Sequence, residues 1–253
     1  MAALEAHRPV PADEAALALG VPALDRVLGG GLMLGALHEI VPAAAFDLAA
    51  AAGMALALAA HALRTVRRFA RREVLWIQPD LAGFEAGRLY GPGLEALGLP
   101  LLRLIDLRVA SERDGAFAME EALQCRALAV VVGEFFDDRA LDLVALRRLS
   151  LAAATGGGLG LVLRHRADAL ASPAATRLEI AAAPSRPDAF GGLGRPTVLL
   201  SVVRNRHGPT GRWLLSWDHH EHVFVEAPSL AVAVPAVDRP DSWDDAKVGR
   251  RAG

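Results

Sequence analysis

The sequence predicts an α/β fold: a doubly wound, mainly parallel sheet with an antiparallel C-terminal extension and a flexible tail. Three observations point there. Between residues 37 and 163, short apolar runs alternate with helix-length segments of helical apolar spacing. Residues 128–132 (LAVVV) are continuously apolar, as a central parallel strand buried on both faces requires. From Thr176 onward the helical segments give way to alternating strands separated by turn residues.

Residues 1–20 read as an N-terminal helix and linker, residues 21–226 as the core domain, and residues 227–253 as a Pro-, Asp- and Arg-rich flexible tail. Gly29, Gly30, Gly31 and Gly35 punctuate a turn before a strand at 37–41. An alanine-rich helix follows over 44–69, then a β-branched and aromatic strand over 74–78. A helix over 84–97 is broken near Gly91-Pro92-Gly93 and leads to a strand at 101–105. Ala116, Met119, Leu123 and Ala127 give 112–126 a helical face. The helix expected over 138–154 stops at Gly156-Gly157-Gly158, ahead of a strand at 159–163. Strands at 177–181, 197–204 and 212–217 form the extension, with a turn at His207-Gly208-Pro209.

The 253 residues are 53% hydrophobic, enough for a sizeable core, although alanine supplies much of that figure. The Ala/Leu-rich stretch 43–63 invites a membrane-span reading. Asp47 and His61 within it and the weak membrane preference of alanine favour a packed core helix. The first residues lack the basic-then-apolar order of a signal peptide, and Cys125 is the single cysteine. A cytoplasmic location and no thiolate zinc site are therefore expected. A net charge of −2 exerts no global pull on nucleic acid, so any DNA contact needs a local basic patch.

A phosphate loop joining the first core strand to the first core helix needs glycines, a lysine and a hydroxyl. Residues 41–49 (VPAAAFDLA) contain none of these. Pro42 removes a donor N–H, and Asp47 places negative charge where a negative ligand would sit. No cofactor is expected. His219, His220 and His222, with Asp218 and Glu221, raise a metal hypothesis, because His220 and His222 would share one face of a strand. No further ligand is identifiable, and no metal site is assigned. His38 and His61 read as core-edge residues, and no nucleophile-elbow spacing supports a hydrolase.

The segment LGVPALDRVLGGGLMLGALHEIV resembles the N-terminal core signature of RecA, through Leu24-Asp25, Gly29 to Gly31 and Glu39-Ile40. The resemblance implies a RecA-like fold. On that frame Pro42 and Asp47 fall on the framing glycines of the phosphate loop, Leu48 on its lysine and Ala49 on its hydroxyl residue. Gly133 stands at the position of the metal-associated aspartate, and Glu134 beside it reads as a solvated strand end. Asp80 matches the water-activating glutamate. Both DNA-binding loops look shortened, one before the helix near 138 and one after Leu163. The segment Arg204-Asn205-Arg206 resembles a basic-Asn-basic element that reaches a neighbouring subunit. Arg164 and Arg166, with His165 between them, form a second basic cluster at a strand end. These five residues, Arg204, Asn205, Arg206, Arg164 and Arg166, are the expected contact residues.

A RecA-like chain with no working phosphate loop is similar to the ImuA family. That resemblance implies a non-catalytic accessory protein of SOS-induced translesion DNA synthesis. Its implied partners are an ImuB-type inactive Y-family polymerase, an error-prone replicative polymerase and RecA, with DNA contact indirect or weak. The alternatives are a SulA-like cell-division inhibitor and a degenerate, nucleotide-responsive ATPase.

Overall fold

The computed structural model describes residues 15–70, 72–136, 140–165, 172–188 and 190–228. The described residues open on a strand within the segment read as helix and linker: β1 (Ala16–Leu17) pairs antiparallel with β2 (Leu32–Met33). Between them lies the short helix α1 (Pro22–Val27), which starts on a proline that lacks only a donor the first turn would not use. The Asp25 carboxylate accepts the amides of Leu19 (2.7 Å) and Gly20 (3.0 Å), tying the approach to α1 back onto its first turn. Gly31 has φ +135°, and a Cβ there would lie 2.1 Å from the Leu17 carbonyl oxygen. Only glycine admits this close strand approach.

The core then follows the expected alternation: β3 (Ala36–Pro42), α2 (Leu48–Thr65), β4 (Glu73–Pro79), α3 (Asp80–Ala86), α4 (Gly91–Ala96), β5 (Leu104–Val109), α5 (Glu112–Gln124), β6 (Leu128–Phe135), α6 (Leu143–Gly156) and β7 (Leu159–Arg164). Next come β8 (Thr176–Ala183), β9 (Thr197–Asn205), β10 (Gly211–Asp218) and β11 (Val223–Glu226). Among the described residues, nine strands form one mixed sheet in the order β11-β10-β9-β8-β3-β7-β6-β4-β5, with helices on both faces. Strands β3 to β8 run parallel, and β9 to β11 antiparallel.

Several further details depart from the sequence reading. Residues 101–103 form a 3-10 turn, so β5 begins at Leu104. Helix α6 starts at Leu143 rather than near 138, because the Asp142 carboxylate accepts the Ala145 amide (2.7 Å) and caps it there. β8 lies parallel beside β3 and so belongs to the parallel core, and β11 extends the antiparallel edge by one strand. Residues 1–14 and 229–253, which include most of the N-terminal and tail assignments, lie outside the described residues.

Side chains alternate across the core strands of the sheet. Ile40, Trp76, Val130, Val132, Leu161, Leu163, Leu178 and Ile180 face α2, whose Ala51, Met54, Ala55, Leu58 and Ala62 complete that core layer. Leu37, Leu75, Ile77, Val131, Phe135 and Val162 face α5 and α6, meeting Met119, Leu123, Leu146, Leu149 and Ala153. Helix α2 with its preceding turn is long and apolar enough to span a membrane by length and composition, yet it packs into the sheet as a core helix. Its alanines bring the helix axis close to the strands.

One irregularity shapes the edge. Leu178 pairs with Val202 and Arg177 with Arg204, leaving Val203 as an extra residue in β9. This β-bulge resets the alternation, so Arg204 joins Arg177 on the α6 face rather than following Val202 into the α2 core.

Candidate functional site

At the corner where β3 leads into α2, the backbone donors of Ala43, Ala44 and Asp47 are already committed. The Asp47 carboxylate is 3% exposed and accepts the amides of Ala44 (3.1 Å) and Ala182 (2.8 Å). The Ala43 amide donates to the Ile180 carbonyl, and that of Asp47 to Ala44. Asp47 therefore does not project toward a ligand, as the sequence reading had it. It turns inward and takes, as an internal carboxylate, donors that an anion would otherwise use. Leu48 is half-buried and Ala49 exposed; both line an apolar groove of about 500 Å³ and carry no charge into it.

Gly133 shows the same closure on the opposite face. A Cβ there would sit 2.6 Å from Met119 Sδ and 2.7 Å from Phe135 Cε2. The position that the RecA frame gives to a metal-holding carboxylate is filled by the side chains of α5 and β6. Asp80 opens α3, is exposed, and does not line the groove.

Glu134 overturns its reading as a solvated strand end. It is 3% exposed, and its two oxygens accept from Gln78 Nε2 (2.9 Å) and His165 Nε2 (2.7 Å). Gln78 Nε2 also donates to the Gly87 carbonyl (3.0 Å), and Phe136 packs edge-on against the His165 ring. The cluster ties the carboxyl ends of β4, β6 and β7 together at one end of the groove, where α/β sheets commonly place ligand chemistry. Its members came from three separate strands, and only the fold brings them within bonding distance.

The expected basic contact residues have divergent fates. Arg164 is 1% exposed and donates to Glu39 Oε1 through Nε (3.2 Å) and Nη2 (3.0 Å), while Arg177 Nε reaches Glu39 Oε2 at 2.8 Å. Glu39 holds both cations beneath α6, so Arg164 is not a surface contact. Its charge is spent inside the sheet. Arg166 lies outside the described residues. Asn205 is a structural clamp: its Nδ2 donates to the carbonyls of Val27 (2.9 Å) and Pro209 (3.1 Å), and its Oδ1 accepts the His207 amide. Arg204 is half-buried and Arg206 exposed, and they line a common groove with α6.

The histidine run is a turn, not a strand. The Asp218 carboxylate accepts the amides of His220 and Glu221, which hold it below the usual carboxylate range, and His222 takes φ 50°. His220 and His222 thus share no strand face, and no group of three metal-ligating side chains occurs among the described residues. His38 and His61 are buried. His38 Nε2 donates to the Met33 carbonyl (2.9 Å) and Nδ1 accepts from the Thr176 hydroxyl (2.8 Å). Burial pushes the His38 pKa down to about 4 and that of His61 down as well.

Fold and site together define an α/β protein with a nine-stranded mixed sheet whose strand-to-helix corner is closed by its own carboxylate. No family model matches the chain. Protein ImuA of Caulobacter vibrioides, in strains NA1000/CB15N and ATCC 19089/CIP 103742/CB 15, is 34% identical to it, over 85% of this chain and 90% of the relative. The chain belongs to the ImuA family.

Proposed function

We propose that this chain is a non-catalytic, RecA-like accessory protein of the ImuA/ImuB damage-induced mutagenesis system, working in the cytoplasm through protein contacts. Membership of the ImuA family supplies the system. The observation that carries the non-catalytic part is the Asp47 carboxylate seated on the amides of Ala44 and Ala182. A triphosphate at this corner would meet three committed amides and a buried negative charge, with Leu48 and Ala49 in place of a cation and a magnesium-binding hydroxyl. The partners that fit this reading are an ImuB-type inactive Y-family polymerase, an error-prone replicative polymerase and RecA, with Arg204 and Arg206 on the contact surface.

Calorimetric titration of the full chain with ATP and magnesium tests the non-catalytic part. No saturable heat is expected, and tight magnesium-dependent binding would overturn it. Deletion of the gene tests the system: damage-induced mutation frequency is expected to fall, and an unchanged frequency refutes the assignment.

A further inference from the structure

The α6 face of the sheet holds a second groove, of about 590 Å³, at the step between α6 and the β8–β9 edge. Leu143, Arg147 and Leu151 stand at i, i+4 and i+8 on α6 and form one stripe along it. Pro173, Arg204 and Arg206 form the opposite wall. The bulge at Val203 is what brings Arg204 to this face. Arg206 Nη1 donates to the Pro173 carbonyl (2.9 Å), which fixes its guanidinium at the rim.

The chemistry of this groove is unbalanced. Three guanidinium groups line it, and no carboxylate does so among the described residues. Arg147, Arg204 and Arg206 make no ion pair among the described residues, although the same sheet pairs Arg164 and Arg177 with Glu39. Leu143 is 41% and Leu151 71% exposed, about 12 Å apart along the helix by its rise per residue. Between them the Ser150 hydroxyl is enclosed without a hydrogen-bond partner.

We propose that this groove docks a short segment of another protein in which carboxylates flank aliphatic or aromatic anchors. The inference deepens the reading of the chain as a protein-contact accessory by giving the partner its chemistry. Unpaired arginines beside exposed leucines match the composition of protein interfaces, where Arg and apolar anchors concentrate. A nucleic acid would find phosphate partners here but no aromatic side chain on which to stack a base. The spacing of Leu143 and Leu151 suits anchors two helical turns apart, or about four residues apart in an extended strand.

The test pans a random dodecapeptide phage library on the full chain and measures the best peptide, resynthesised, by fluorescence anisotropy across a salt series. Enriched peptides are expected to carry at least two Asp or Glu beside Leu, Ile, Phe or Trp, and to lose affinity as salt rises. Arg147→Glu, which breaks no hydrogen bond in the fold, should weaken binding by about tenfold or more, and Leu151→Ser should weaken it independently. Circular dichroism checks that both variants keep the native fold. Failure to enrich any peptide, peptides without acidic excess, or equal binding to Arg147→Glu would overturn the proposal. So would a fluorescein-labelled oligonucleotide, or self-association of the chain, that proves sensitive to Arg147→Glu in the peptides' place. Magnesium-ATP binding would defeat the functional reading while leaving the peptide result standing, so the two failures are distinguishable.

Discussion

His38 makes the stability of this fold depend on pH in a direction and amount that follow from its surroundings. It sits on β3, 1% exposed, between the Met33 carbonyl and the Thr176 hydroxyl, and burial lowers its pKa from 6.5 to about 4. The unfolded chain therefore takes up a proton as pH falls through 6.5, whereas the folded chain does so only near pH 4. Stability contributed by neutral His38 is full above pH 6.5 and declines between pH 6.5 and 4, because the unfolded state binds more protons in that window. With these two values the loss from pH 7 to pH 5 is about 2 kcal/mol. The perturbation is His38→Asn, and the assay is urea unfolding of wild type and variant at pH 7, 6 and 5. The variant loses a pH-independent amount from its altered bonds, and the stability gap between the two proteins should narrow by about 2 kcal/mol on going to pH 5. Titrating groups common to both proteins cancel in that gap. A gap constant within about 0.5 kcal/mol, or one that widens on acidification, would refute the argument.

Two substitutions probe the closed corner. Asp47→Ala leaves the amides of Ala44 and Ala182 without their acceptor and should cost about 3 kcal/mol in urea unfolding, whereas Asp47→Asn keeps one acceptor oxygen and should cost about half as much. Gly133→Asp restores the carboxylate of the RecA frame but drives it into Met119 and Phe135. A loss of about 3 kcal/mol or more, seen as a large drop in Tm, is expected in place of any gain in magnesium affinity.

The parts of the fold legible in the sequence were those written locally. Apolar runs separated by glycine clusters located β3, β4, β6 and β7, and alanine-rich periodicity located α2 as a core helix. What escaped depended on partners distant in sequence. β1 is two residues long and exists because Gly31 lets β2 approach Leu17. Glu134 looked solvated because Gln78 and His165, which bond it, lie 56 and 31 residues away. The inward turn of Asp47 was invisible for the same reason, since one of its donors is Ala182, 135 residues on.

The arginines show how pairing, rather than residue type, decides which charges stay inside the fold. Arg164 ends β7 and Arg206 follows β9, both carry a permanent charge, and both read as contact residues. Glu39 separates them. It lies on β3 between β7 and β8, so the two neighbouring strands deliver Arg164 and Arg177 to its two oxygens. Removing that charge would take from both cations the carboxylate they share, so the trio acts within the sheet rather than outward. Arg204 escapes this sink through one inserted residue. Were Val203 paired in regular register instead of bulged, the alternation of β9 would aim Arg204 with Val202 toward the apolar α2 core. The bulge sends it to the α6 face, beyond the reach of a carboxylate already engaged twice, and there it joins Arg147 and Arg206 as unneutralised charge. Cationic surface thus arises on this chain of net charge −2 from the register of a single strand.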